Sequence, residues 1–215
     1  MNGIINERVV SFINSFDKGD SPVCMEIEKE ARENFVPIIR KEMAAFLKVI
    51  LAIKKPLNIL EIGTAVGYSA ILMSENISDE ARITTIENYE VRIPVAKENF
   101  KRAGKENVIT LIEGDALEEI KKLDGMYDFI FMDAAKAQYI NILPDVIRVL
   151  QKDGVLITDN VLQEGDIIES RYAVTRRNRT IYERMREYLF AVTHSEELIT
   201  SIVPIGDGIT LSIKK

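Results

Sequence analysis

The chain has 215 residues, 47% hydrophobic and 29% charged, the balance of an ordinary globular protein rather than a disordered one. One hydrophobic core suffices at this length, so a single domain spanning 1–215 is expected. The 28 Lys and Arg against 34 Asp and Glu give a net charge of -6, which argues against a positive coat for indiscriminate nucleic-acid binding but not against a local basic patch.

No membrane partner is expected. The longest apolar run, Val49 to Ile53, is too short to cross a bilayer, and the first twenty residues hold no continuous apolar stretch of the signal-peptide kind. The single cysteine, Cys24, cannot close an internal disulfide and reads as a small buried hydrophobe, in keeping with a cytoplasmic location.

Residues 1–55 read as two or three helices, with Ser21 as an N-cap and Pro22 at the first helical position. They would form a cap beside a sheet or over its mouth. Phe12, Ile13, Phe46 and Leu47 on these helices serve either a homodimer interface or packing within the chain, and periodicity does not separate the two.

From residue 57 onward, short apolar runs alternate with amphipathic stretches, the pattern of βαβ units around a parallel sheet. Strands are predicted at Leu57–Ile62, Arg82–Ile86, Val108–Ile112, Tyr127–Met132 and Gly154–Thr158. The unbroken run Phe129-Ile130-Phe131-Met132 implies helices on both faces. Helices are predicted near 68–77, 90–103, 116–122 and 139–149. A long helix over about 178–194 precedes two more strands, Leu198–Val203 and Ile209–Ile213. The tight-turn residues Gly206-Asp207-Gly208 between them predict an antiparallel pair. The fold class is therefore α/β, a doubly wound seven-stranded sheet with its last strand antiparallel and helices at the N-terminus.

Three strand ends carry polar groups suited to a nucleotide-like ligand. The first strand runs through Glu61-Ile62-Gly63-Thr64-Ala65-Val66-Gly67-Tyr68-Ser69, where the glycines allow close backbone approach and the helix start offers free N–H groups. The second ends at Glu87, placed to accept both hydroxyls of a ribose. The third ends at Glu113-Gly114-Asp115-Ala116, which could meet an adenine edge. Each acid also has a plain alternative as a helix N-cap. A Gly-Lys-Ser/Thr ending is missing, which argues against a nucleoside triphosphate. This loop resembles the S-adenosylmethionine motif of the class I methyltransferases. The resemblance implies that Glu61 and Gly63 lie by the methionine part, that Tyr68 and Ser69 follow the loop, that Glu87 takes the ribose, and that Asp115 and Ala116 frame the adenine. Val36–Ile39, with Ile38, would cross the cofactor from the N-terminal side.

The fourth strand ends Asp133-Ala134-Ala135-Lys136 and the fifth Asp159-Asn160. Two carboxylates and an amide oxygen make a hard donor set suited to Mg²⁺ or a similar cation. His194 is the only histidine, which excludes a histidine-rich zinc or iron site and reads instead as a helix-end residue. The combination resembles the cation-dependent O-methyltransferases, a family that includes catechol and caffeoyl-coenzyme A enzymes and a bacterial tRNA 5-hydroxyuridine branch. That resemblance makes Asp133, Asp159 and Asn160 metal ligands, places Asp133 beside the cofactor as well, and makes Lys136 the catalytic base. A sulfonium methyl is already activated, so catalysis needs mainly an oxygen anion held in line with it, which a cation favours. Lys136 reads alternatively as a surface lysine or an ion-pair partner of Asp133.

The acceptor must offer two neighbouring oxygens, as catechols and 5-hydroxyuridine both do. Residues 171–186 hold six arginines against the single acid Glu183, and arginine forks suit phosphates. The alternative is a solvated helix face with Arg179 and Glu183 paired at four-residue spacing. The segments Asp159-Asn160-Val161-Leu162-Gln163-Glu164-Gly165 and Arg176-Arg177-Asn178-Arg179-Thr180-Ile181-Tyr182 resemble the tRNA branch, which implies tRNA as the partner through Arg171, Arg176, Arg177 and Arg179. Methylation of small phenols or caffeoyl-coenzyme A is the competing expectation.

Overall fold

The computed structural model describes residues 6–215; the first five residues of the expected N-terminal cap lie outside this range. Three helices open the chain: α1 (Glu7–Asn14), α2 (Pro22–Glu33) and α3 (Lys41–Lys54). Ser21 caps α2 by accepting from the Cys24 backbone N–H at 3.2 Å, and Pro22 occupies the first turn, where a missing N–H costs nothing. Leu47 and Cys24 are fully buried in the layer against the sheet and Phe46 packs beside them, so packing within the chain accounts for Phe46 and Leu47. Phe12 and Ile13 stay exposed.

The remaining chain alternates β1 (Asn58–Ile62), α4 (Tyr68–Ser74), β2 (Arg82–Glu87), α5 (Ile93–Arg102), β3 (Ile109–Glu113), α6 (Ala116–Glu119), β4 (Tyr127–Met132), α7 (Tyr139–Val149), β5 (Leu150–Thr158), α8 (Arg179–His194), β6 (Leu198–Val203) and β7 (Ile209–Lys214). The sheet order is β3-β2-β1-β4-β5-β7-β6, with β7 antiparallel to both its neighbours. β5 starts at Leu150 rather than at the expected Gly154. Leu150 pairs with Tyr127 before a register shift, and polar Gln151, Lys152 and Asp153 mask that extension in the sequence. Side chains alternate across β4 as a strand requires: Phe129 and Phe131 enter the layer formed with the N-terminal helices, Ile130 and Met132 the layer under α7 and α8. Each is fully buried, and such burial stabilises by about 1.5–3 kcal/mol per side chain.

One rung of the sheet sets where the polar strand ends meet. Ile112, Ile86, Ile62, Met132, Thr158 and Thr210 are successive cross-strand partners. The parallel strands therefore end level with one another, and strand order reverses between β1 and β4, the place where open α/β sheets bind ligands. β7, running the other way, begins at that same edge.

Candidate active site

A cavity of about 530 Å³ opens along the ends of β1 to β4, and Ile38 and Pro37 close it from the N-terminal side. Gly63, Tyr68 and Ser69 line it from the first turn, Glu87 from β2, and Asp115 and Ala116 from β3. Asp133, Lys136 and Asn160 line the opposite end. Glu61 and Asp159 lie behind this wall, 0% and 3% exposed.

Packing within the chain by itself requires these two glycines. Gly63 has φ 102°, and a Cβ there would stand 2.0 Å from the carbonyl oxygen of Asp133. The constraint is the neighbouring strand end. Gly67 adopts φ 84° to start α4, and a Cβ on it would meet the Phe100 ring at 2.5 Å.

Glu61, expected beside the methionine part, braces the turn from within. Ser69 Oγ donates to its Oε1 and Thr85 Oγ1 to its Oε2, both at 2.5 Å. Burial pushes its carboxyl up to about 7, against the pull of these two hydroxyls. Glu87 holds the same turn from the cavity side: its Oε2 accepts from the Ala65 N–H at 2.7 Å, and its Oε1 from the N–H groups of Asn88 and Tyr89. Asp115 caps α6 by accepting from Leu117 N at 3.0 Å and also lines the cavity. Sequence reasoning passed over Tyr89 and Arg92, which also line the cavity, with the Arg92 guanidinium 5.1 Å from the centre of the Tyr89 ring. Their position just after Glu87 was the available signal.

Asp133, Asp159 and Asn160 come together because Met132 and Thr158 are register partners. Asn160 Nδ2 donates to Asp133 Oδ1 at 3.3 Å, and Asn160 N to Asp159 Oδ1 at 2.7 Å. Burial, then the Asp133 charge, pushes Asp159 up to about 7; burial likewise raises Asp133, opposed by Lys136 and the Asn160 amide. A buried and a half-buried carboxylate raised in this way are what a cation would relieve, and the all-oxygen donor chemistry fits a hard divalent ion. Among the described residues no three His, Cys, Asp or Glu side chains cluster to hold a metal, so a cation held here would need the Asn160 amide oxygen beside the two carboxylates.

Lys136 pairs not with Asp133 but with Asp207, Nζ to Oδ2 at 3.3 Å. Asp207 is 4% exposed, although Gly206-Asp207-Gly208 reads as an ordinary turn. The segment it faces is unusual: Asn160, Gln163 and Glu164 all have φ between 51° and 61°, and such left-handed non-glycine residues cost on the order of 1–3 kcal/mol each.

The arginine segment is partly consumed by the fold. Glu183 pairs with Arg171 at 2.6 Å rather than with Arg179, whose Nε donates to the Val174 carbonyl at 3.2 Å. Arg184 donates to Ala137 O and Arg186 to Ile167 O. Arg176 and Arg177 are exposed, and no ion pair reaches them among the described residues. His194 ends α8, its Nδ1 bonded to the Phe190 carbonyl at 2.9 Å, as a helix-end residue does. No helix of the described residues is long and apolar enough to cross a membrane.

Sheet order, antiparallel seventh strand and cavity together define a Rossmann-like methyltransferase fold. The chain belongs to the O-methyltransferase family, whose model matches residues 15–215. It is 33% identical over 177 residues to caffeoyl-CoA O-methyltransferase 5 of Nicotiana tabacum, covering 77% of this chain and 72% of that one. Among solved structures, a Staphylococcus aureus protein described as a candidate caffeoyl-CoA O-methyltransferase superposes with a TM-score of 0.88 at 32% identity, covering 97% and 99% of the two chains. The SAH-bound methyltransferase PaMTH1 of Podospora anserina also reaches 0.88, at 26% identity and 97% and 94% coverage.

Proposed function

We propose that this O-methyltransferase moves the methyl group of S-adenosylmethionine to a hydroxyl oxygen held beside a divalent cation, and that the acceptor is 5-hydroxyuridine at the wobble position of tRNA. The observation that carries the chemistry is the meeting of Asp133 and Asn160, with Asp159 directly behind them, at one end of a cavity whose other end has Glu87 and Asp115.

The donor would lie along the cavity with Glu87 at its ribose, Asp115 and Ala116 at its adenine and Ile38 over it. Asp133, Asp159 and the Asn160 amide oxygen would hold Mg²⁺ or a similar ion. When bound, that ion supplies Lewis-acid polarisation of the acceptor hydroxyl. Lys136 Nζ, entering the step as the neutral amine, takes the hydroxyl proton. The oxygen then forms its bond to the methyl carbon as the carbon–sulfur bond breaks, its electron pair staying on sulfur. Proton transfer of this kind contributes about 10²–10⁴-fold.

The exposed pair Arg176 and Arg177 supports a phosphate-bearing acceptor. The identity to caffeoyl-CoA O-methyltransferases supports a second reading, a small vicinal-oxygen phenol or its coenzyme A ester. Labelled S-adenosylmethionine, offered with tRNA bearing 5-hydroxyuridine, with catechol and with caffeoyl-CoA, each with and without Mg²⁺, separates them. Label in the phenols alone removes the tRNA reading. The exposed Phe12, Ile13 and Phe16 support a homodimer, which sedimentation checks.

A further inference from the structure

We propose that Asp207 is a positioning residue for methyl transfer, fixing the Lys136 amine at the cavity; this rests on the role given to Lys136 above. Asp207 divides its carboxylate between two tasks. Oδ2 accepts from Lys136 Nζ at 3.3 Å, and Oδ1 accepts from the backbone N–H of Glu164. Its main chain is held independently of Lys136, because Leu162 N donates to the Asp207 carbonyl and Val161 N to the Gly208 carbonyl, both at 2.9 Å.

The flanking glycines make this placement possible. Gly206 and Gly208 have φ 59° and 76°, and a Cβ on Gly208 would meet Leu162 at 2.2 Å. The turn between β6 and β7 is thus pressed against the segment after β5 and carries its acid inward, whereas an acid at a turn tip is ordinarily solvated. Lys136 has the opposite character. Its side chain is a flexible four-carbon stem, 33% exposed, on a short 3-10 turn, and Asp207 is the one carboxylate within 4.0 Å of its amine among the described residues. An anchored acid facing a mobile base fixes where the base stands, and small displacements of a reacting group are costly in rate.

The test is a double-mutant cycle measured on 5-hydroxyuridine-bearing tRNA and on catechol in parallel. Asp207→Asn is expected to lower kcat at least tenfold and to leave the Kd for S-adenosylmethionine within twofold. In a Lys136→Ala background the same change is expected to have no further effect, because Asp207 acts through the amine. The proposal is overturned by kcat within twofold of the parent, by donor affinity falling as far as kcat, or by a loss that persists undiminished beside Lys136→Ala. If Asp207→Asn does not fold, Asp207→Glu enters the same cycle, its longer arm displacing the amine with the charge kept; the same outcomes apply. Full turnover by Lys136→Ala removes the role of Lys136 and this proposal with it, as does failure of the parent to methylate either acceptor. A slow Lys136→Ala beside an undisturbed Asp207→Asn removes the Asp207 proposal alone.

Discussion

Asn160 turns its side-chain amide onto the carboxylate of Asp133, 3.3 Å away and 27 residues earlier in the chain. It does so from a left-handed backbone at φ 61°, a conformation that asparagine tolerates better than most side chains. Rotating the amide by half a turn presents its oxygen at the same place. One side chain can thus satisfy a bare carboxylate or join it in holding a cation.

Removal of divalent ions is accordingly expected to stop turnover while S-adenosylmethionine still binds. Mg²⁺ should restore the rate and raise the melting temperature, since an ion that binds only the folded chain stabilises it. Methylation at full speed by chelator-treated protein sinks the cation reading.

Lys136→Ala is expected to cut kcat by about 10²–10⁴-fold with donor affinity unchanged, as read by steady-state kinetics and calorimetry. Near-normal turnover eliminates Lys136 as the base.

Glu61 predicts a pH dependence of folding. Its carboxyl titrates near 7 in the folded chain, above its ordinary 4.5. Between these values the folded state binds more protons than the unfolded one, so stability falls as pH rises. The contribution is fully present below about pH 4.5 and is gone above about pH 7. Glu61→Gln should flatten that part of the slope in cation-free protein, as measured by denaturant unfolding at successive pH values. An unchanged slope refutes the assignment.

Gly63→Ala is expected to destabilise the chain by about 3 kcal/mol or more, combining positive φ with a backbone collision against Asp133 O. Gly104→Ala, also at positive φ but with nothing within 4 Å of the added Cβ, should cost about 1 kcal/mol, backbone strain alone. Chemical denaturation of the two variants compares them directly; equal losses would show that crowding at Asp133 is unimportant.

Replacing Arg176 and Arg177 with alanine should weaken tRNA binding and lessen its salt dependence, by a slope of roughly 0.7–0.9 per lost phosphate contact. Methylation of catechol should stay unchanged. Filter binding across a salt series measures the first, and an unaltered slope counts against contact through these two arginines.

The strands of the sheet interior were legible because burial on both faces writes itself as unbroken apolar runs such as Phe129 to Met132. Asp133, Asp159 and Asn160 stood out because they come within three residues of such runs, Phe129 to Met132 and Val155 to Ile157. What escaped depends on contacts between distant segments. Asp207 looked like a turn residue, since nothing local reveals that Leu162 and Glu164 bond to it. The bracing role of Glu61 was hidden because its partners, Ser69 and Thr85, are brought to it only by folding. The pairing of Arg171 with Glu183, twelve residues apart, likewise overrode the four-residue spacing to Arg179.

The close fit of Gly63 against the Asp133 backbone has a thermodynamic consequence. The turn after β1 and the start of the loop after β4 share one contact with no slack, so a shift in one displaces the other. Any change that donor binding imposes on cation affinity must be returned in equal measure, because such coupling is reciprocal. Titrating either ligand in the presence and absence of its companion would reveal the factor from both directions.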